Sequence, residues 1–465
     1  MASRLASRPE ALLGVISLRC WNGNGSNRSC GLLFVVCGLL FVVCRLSNSN
    51  MGKVIIIGGG IIGLSTAYYL NESGWEVTVI DKGDFLHNCS YGNAGYIAPS
   101  HFIPLATPGI VKQAIKWMLD STSPFYVKPR LNWPLIEWGW KFMRVATDKH
   151  VAESAIPLRD LGMLSMKLFE EWKKKPEFDF FYQHKGIVEL FQTEEKAHHS
   201  EHTAHAAQEL GLDAVLLNKE EVKQLEPHTE MNAIGGLHFK CDAHCYPNDL
   251  MKNLIAYLKN KKVRFIGGEE VKGFEKTNRS IKKVITPTAE YEADLVIVAT
   301  GAWSRELVAM LNSNIPLMPG RGYSVTISDE QFKLNYPSIL VEGRVAITPM
   351  NGKIRFGGTM EITPTNTPPR INRVKGILTA VKKFFPEFDV PMPSAEDIWY
   401  GYRPCSADGL PYIGRLRKID NAIIATGHAM VGLTFGPGTG KLVAELANGK
   451  TTTMNIDAFQ PERFS

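Results

Sequence analysis

The chain has 465 residues, 45% of them hydrophobic and 21% charged, with a net charge of +6. These values suit a soluble globular protein of two or three domains, large enough to bury a core without disulfides or metals. Residues 1–50 hold Arg4, Arg8, Arg19, Arg28 and Arg45 against the single acid Glu10, so the rest of the chain is nearly neutral and lacks the basic stripe that a nucleic-acid surface needs.

In chain order, residues 1–29 are rich in Arg and Ser, the composition of an organellar transit peptide. GLLFVVC then occurs twice in tandem over 31–44. The apolar run is shorter than the roughly 20 residues of a spanning helix. Two readings stay open. One is a cleaved leader or spurious extension outside the fold, and the other is a functional membrane anchor. Met51 restarts the chain as a first residue would.

Residues 54–57 are a short β-branched run, as expected for a buried parallel strand. Gly58, Gly59, Gly60, Ile61, Ile62 and Gly63 then match G-x-G-x-x-G. In that pattern the first glycine makes the turn, the second admits a pyrophosphate, and the third brings helix and strand together. A helix follows, presenting its N-terminal amides to phosphate. A second strand, EVTVI, ends at Asp81 and Lys82. An acid there accepts from an adenosine ribose. Strand, helix, strand and acid in register specify a dinucleotide site.

Further along, a strand over 263–266 precedes a hairpin turning near 277–280. The segment ADLVIVATGAWS closes on Thr300 and Gly301. Small residues there let the chain pass close to a nucleotide. Returning to the nucleotide fold this late implies a split domain with another inserted. GRGYSV puts Tyr323 on a strand of the insert, where covering a substrate and core packing are both open. Cys241 and Cys245 lie near His238 and His244, but no second ligand pair follows at zinc spacing, so no metal is expected. The core reads as a reduced, intracellular-type protein.

Near the C-terminus, Arg403 sits among Trp399, Tyr400, Tyr402 and Pro404. An arginine in an aromatic site can clamp a carboxylate through two hydrogen bonds, and a structural ion pair is the other reading. Gly427 and Gly432 flank a turn, and the glycine run 436–440 is expected to open a helix whose amides stabilise negative charge. His428 either borders the cofactor ring or is structural.

Four stretches together resemble the D-amino-acid-oxidase-type FAD oxidoreductases, nearest to the D-amino acid dehydrogenases of small-subunit type. They are the glycine unit, SYGNAG at 90–95 with the AIKWM helix downstream, WYGYRPCSADGLPYIGR, and ATGHAMVGLTFGPGTGKLVAEL. The resemblance implies FAD held by Gly58, Gly60, Ile61, Ile62 and Gly63, by Asp81 and Lys82, and by Ser90, Asn93, Ala94 and Gly95. It extends to Val271, Thr300 and Gly301, and to Gly427, Gly432, Leu433 and Thr434. It gives Arg403 the substrate carboxylate, with Tyr323 and His428 as further catalytic candidates. Some relatives attach FAD through a histidine, where this chain has Gly92 and Asn93, or through a cysteine placed further upstream of Asp408 than Cys405. Non-covalent FAD is therefore expected.

The implied reaction is oxidation of a small amino acid, with electrons passing to a quinone or dye-type acceptor. A glycine- or sarcosine-type oxidase using O2, a D-proline or hydroxy-D-proline dehydrogenase, and, remotely, an RNA-modifying flavin domain are the alternatives. The expected location is cytoplasmic, with peripheral association at the inner membrane left open. The fold class is α/β. A Rossmann-like FAD-binding domain is split over 51–140, 246–310 and 396–465. An inserted α+β substrate domain, built on a mainly antiparallel sheet, covers 141–245 and 311–395.

Overall fold

The computed structural model describes residues 51–110, 112, 123–328, 330 and 332–464, together with the backbone of three strands nearer the N-terminus. Those strands, Ile16–Cys20, Arg28–Val36 and Leu39–Val43, form an antiparallel sheet in which the tandem heptamers pair with each other, Leu32 opposite Val43. The apolar repeat is thus paired strand. No helix among the described residues is long and apolar enough to cross a membrane. The expected helix at 114–118 lies outside the described residues. Residues 1–50 and 51–465 are two separate compact units.

In the larger unit a six-stranded sheet runs in the order Arg264–Ile266, Glu76–Ile80, Lys53–Ile57, Leu295–Val298, Ala422–Thr426 and Tyr412–Arg415. The first five are parallel and the last antiparallel. Val54, Ile56, Val296, Ile297 and Val298 have no exposed surface. Complete burial of such side chains contributes about 1.5–3 kcal/mol each, which is why the central strands are apolar on both faces. The strands of this sheet come from three separated stretches of the chain.

A nine-stranded sheet forms the other layer. Its centre is Leu317–Ser328 between Lys353–Ile362 and Trp399–Ser406, all antiparallel. Two expected boundaries move. Trp399–Ser406 pairs along Leu317–Ser328, with Gly320 opposite Arg403, so it belongs to the substrate sheet. The helix Asp148–Lys173, expected in the substrate domain, buries Leu158, Leu161, Phe169 and Trp172 in one core with the dinucleotide strands.

The glycine run at 436–440 also departs from expectation. The closing helix is Gly432–Ala447, so these glycines lie inside it, beside Pro437. A Cβ on Gly436 would press on Ile61, on Gly438 on Ser165, and on Gly440 on the Ser65 backbone. The run lets three helices approach closely, and that packing overrides the poor helix propensity of glycine and proline.

Candidate active site

A cavity of about 1680 Å³ lies between the two large sheets. Its first end is built by the glycine turn. Gly58 has φ +110°, a conformation that favours glycine, and a Cβ there would strike the Ala299 carbonyl. A Cβ on Gly60 would meet only Ser90 Oγ at 3.5 Å. That open side faces the cavity, at the N-terminus of Ile61–Glu72. Gly63 lies behind the wall, where a Cβ would overlap the Gly58 carbonyl. The Ile61 amide donates to Ser90 Oγ at 3.0 Å, and Ile62 lines the cavity.

Asp81 accepts from the amides of Gly59 at 2.6 Å and Gly83 at 2.7 Å. The carboxylate is thereby fixed at the cavity wall with lone pairs to spare for ribose hydroxyls. Lys82 Nζ lies 3.6 Å from the Trp303 ring centre, and burial lowers its pKa. Val271, Thr300 and Gly301 complete this end. The residues present fit an adenine dinucleotide.

At the other end, the loop bearing Asn93 and Ala94 is stapled from the opposite sheet. Arg355 Nη1 donates to the carbonyls of Tyr91 at 2.8 Å and Asn93 at 2.6 Å, and its Nε to Thr326 at 2.8 Å. Its guanidinium is driven down to about 10 by burial. Asn93 accepts from Gly95 N at 2.9 Å, and Ser324 donates to the Gly92 carbonyl at 3.1 Å. Gly95 and Gly427 sit behind the wall, with φ +82° at each. Gly432, Leu433 and Thr434 open the closing helix on the cavity, so its dipole favours negative charge there. Thr434 donates to the Tyr96 carbonyl at 3.0 Å.

His428 lines the same end. Its Nε2 lies 3.0 Å from Thr439 Oγ1, and its buried Nδ1 has no partner among the described residues. Burial alone pushes its pKa down to about 3, so it is neutral at physiological pH. An orphaned ring nitrogen beside a helix N-terminus fits a bound group with its own polar edge. Cys405 is buried away from the cavity, 3.8 Å from Met360 Sδ, whereas Cys89, beside Ser90, lines it.

Arg403 lies along the substrate sheet and enters the cavity wall. Gly322, on the neighbouring strand, leaves room for it, because a Cβ there would overlap the guanidinium. Its Nη1 donates to the Thr359 carbonyl. Thr359 has φ +63°, a rare conformation for a β-branched residue. The pairing register shifts between Arg321 and Tyr323, so Thr359 and Met360 together oppose Gly322 in a β-bulge. The bulge turns the carbonyl towards Arg403. No carboxylate pairs with Arg403 among the described residues, and burial lowers its pKa.

Tyr323 also lines the cavity, but its hydroxyl is engaged. It donates to Glu361 at 2.8 Å and accepts from the Arg370 amide at 2.8 Å. Glu361 is buried against Arg321 at 2.8 Å and Arg373 at 3.3 Å. Tyr323 therefore belongs to a buried polar network supporting the wall. Asp408 lies away from the cavity and binds Arg463 at 2.6 Å, so the turn it starts is tied to the C-terminal segment. Gly322, Arg355 and Thr359 line the cavity and were not singled out by sequence reasoning.

A family model described as FAD dependent oxidoreductase (DAO) matches residues 53–446, and the chain belongs to that family of flavoenzymes. Among individual relatives, it is similar to D-amino acid dehydrogenase of Helicobacter pylori strain J99, 32% identical over 407 residues, covering 87% of this chain and 97% of the relative. It is also similar to D-amino acid dehydrogenase of Neisseria meningitidis serogroup C, 30% identical over 419 residues, covering 89% and 99%. Glycine oxidase from Geobacillus kaustophilus shares the fold, with a TM-score of 0.71 at 22% identity over 89% of this chain and 98% of that one. L-proline dehydrogenase from P. horikoshii does so at 0.70 and 22% identity over the same shares.

Proposed function

We propose that this chain oxidises the Cα–N bond of a D-amino acid, using non-covalent FAD and returning electrons to a quinone-type acceptor at the membrane surface. The observation that carries the reading is Arg403, a charged guanidinium in the cavity wall that pairs with no carboxylate among the described residues. FAD, when bound, accepts the α-hydrogen as hydride. Arg403 holds the α-carboxylate and so orients Cα, while Gly322 and the Thr359 carbonyl fix the guanidinium plane. As the C–H bond breaks, the nitrogen lone pair forms C=N. Water then hydrolyses the imino acid to a 2-oxo acid and ammonia. Orientation supplies most of what such a step needs. The names of the Helicobacter and Neisseria relatives support the D-configuration, and the apolar wall of Phe125, Val127, Leu135 and Phe142 supports a lipophilic acceptor.

The test is an anaerobic dye-reduction panel of D- and L-amino acids, including D-proline and glycine. D-enantiomers should reduce the dye faster, with little oxygen uptake in air. L-selective reduction would overturn the substrate assignment. Acid precipitation should release the yellow colour, and flavin retained in the pellet would overturn non-covalent binding.

A further inference from the structure

The helix Trp133–Val145 has two apolar faces. Its inner face buries Trp138 and Phe142, stacked 5.0 Å apart, and Trp138 Nε1 donates to the Cys405 carbonyl at 3.0 Å. Its outer face carries Trp133, Ile136, Trp140 and Met143, which are 71%, 48%, 51% and 55% exposed, and Leu131 just before the helix is 99% exposed. From Trp133 onward the spacing is three or four residues, so these side chains form one stripe. Single exposed apolar residues are ordinary. A stripe containing two tryptophans marks a surface that is covered in use.

Charge decides what covers it. Arg144, at the end of the helix, and Lys149, just beyond it, are exposed, with Asp148 next in sequence to Lys149 and Glu153 3.8 Å from it; Lys128 precedes the stripe, and Arg130 turns inward to the Lys128 and Ile362 carbonyls. Glu137, on the same helix, turns inward to Arg305 at 3.1 Å and Asn314 at 2.7 Å. The Arg144 guanidinium lies 4.7 Å from the Trp140 ring centre. Indoles with cations at their rim suit the headgroup layer of an anionic bilayer, where the ring sits at the interface and the cation reaches phosphate. The helix is also a wall of the cavity, through Leu135, Gly139 and Phe142. A bilayer against the outer face would therefore lie one helix away from the cofactor space.

We propose that this outer face docks the protein on an anionic bilayer and sets the apolar limb of the cavity beside the lipid. The docking stands on the stripe and its charges. Delivery of a lipophilic acceptor rests on the function proposed above. In the test, full-length holoenzyme is sedimented with phosphatidylglycerol-containing vesicles and with phosphatidylcholine vesicles. Binding should favour the anionic vesicles and weaken with salt. The combined variant Trp133→Ser, Ile136→Ser and Trp140→Ser should bind about tenfold or more weakly. Its dye-linked turnover should be unchanged, because none of the three lines the cavity. Brominated acyl chains should quench tryptophan emission in the parent. They should quench it less in Trp133→Leu with Trp140→Leu, which keeps the stripe apolar. Equal quenching in these proteins, or undiminished sedimentation of the serine variant, would overturn the docking surface. Normal docking without faster turnover of a vesicle-borne quinone would leave the surface standing and remove the acceptor assignment.

Discussion

In the proposed reaction, Arg403 is the residue that orients the substrate. Arg403→Met removes a charge-assisted contact worth roughly 1.5–3 kcal/mol, which corresponds to about a 10- to 150-fold fall in kcat/KM. Lysine should restore part of this, since it keeps the charge but not the planar fork. The flavin spectrum should be unchanged, and a carboxylate-free amine should fare no worse than with the parent. Loss of flavin, or equal loss on both substrates, would make Arg403 structural. Asp242 makes a different prediction. It is fully buried, accepts from Ser100 N at 3.1 Å and Ser100 Oγ at 2.5 Å, and burial pushes its pKa up to about 7. A carboxyl with a raised folded pKa favours the fold most at low pH, and that contribution fades as pH rises through about 7. Asp242→Asn keeps both Ser100 partners. Its melting temperature, relative to the parent, should therefore rise between about pH 5 and about pH 8. A pH-independent difference would show that Asp242 does not titrate there.

Two elements built on glycine separate folding from cofactor binding. A Cβ on Gly440 would lie 2.5 Å from the Ser65 backbone. Gly440→Val should cost about 1–3 kcal/mol by overpacking, lowering the melting temperature and loosening flavin with it. Gly60→Val adds bulk only toward the cavity, so circular dichroism should stay native while flavin absorbance is lost. The strand–glycine–helix–strand unit is legible in sequence because its signals are local: a β-branched run, a glycine spacing and an acid at a fixed offset. The glycines at 436–440 mislead for the same reason. Read locally they mean a loop, whereas helices from 61–72 and 148–173 demand small residues in a helix there. The bulge at Thr359 has no local signal at all. It arises from pairing between strands some forty residues apart, and the fit of Arg403 over Gly322 arises from another pairing, between strands about eighty residues apart.

At the scale of the whole molecule, residues 51–465 form one compact unit although two sheets from interleaved stretches build it. Arg355 shows how. A single buried side chain on the substrate sheet grips the cofactor loop at Tyr91 and Asn93 and reaches Asn248 at 3.2 Å, beside the start of the helix Pro247–Asn260. These contacts tie the two layers together, so substrate is expected to exchange through the cavity mouth, by side-chain and loop movement, rather than by the layers parting and closing as in enzymes that clamp their ligands. Small-angle scattering should give the same radius of gyration with and without a saturating carboxylate inhibitor. A measurable contraction on binding would mean that the Arg355 clamp opens in each cycle.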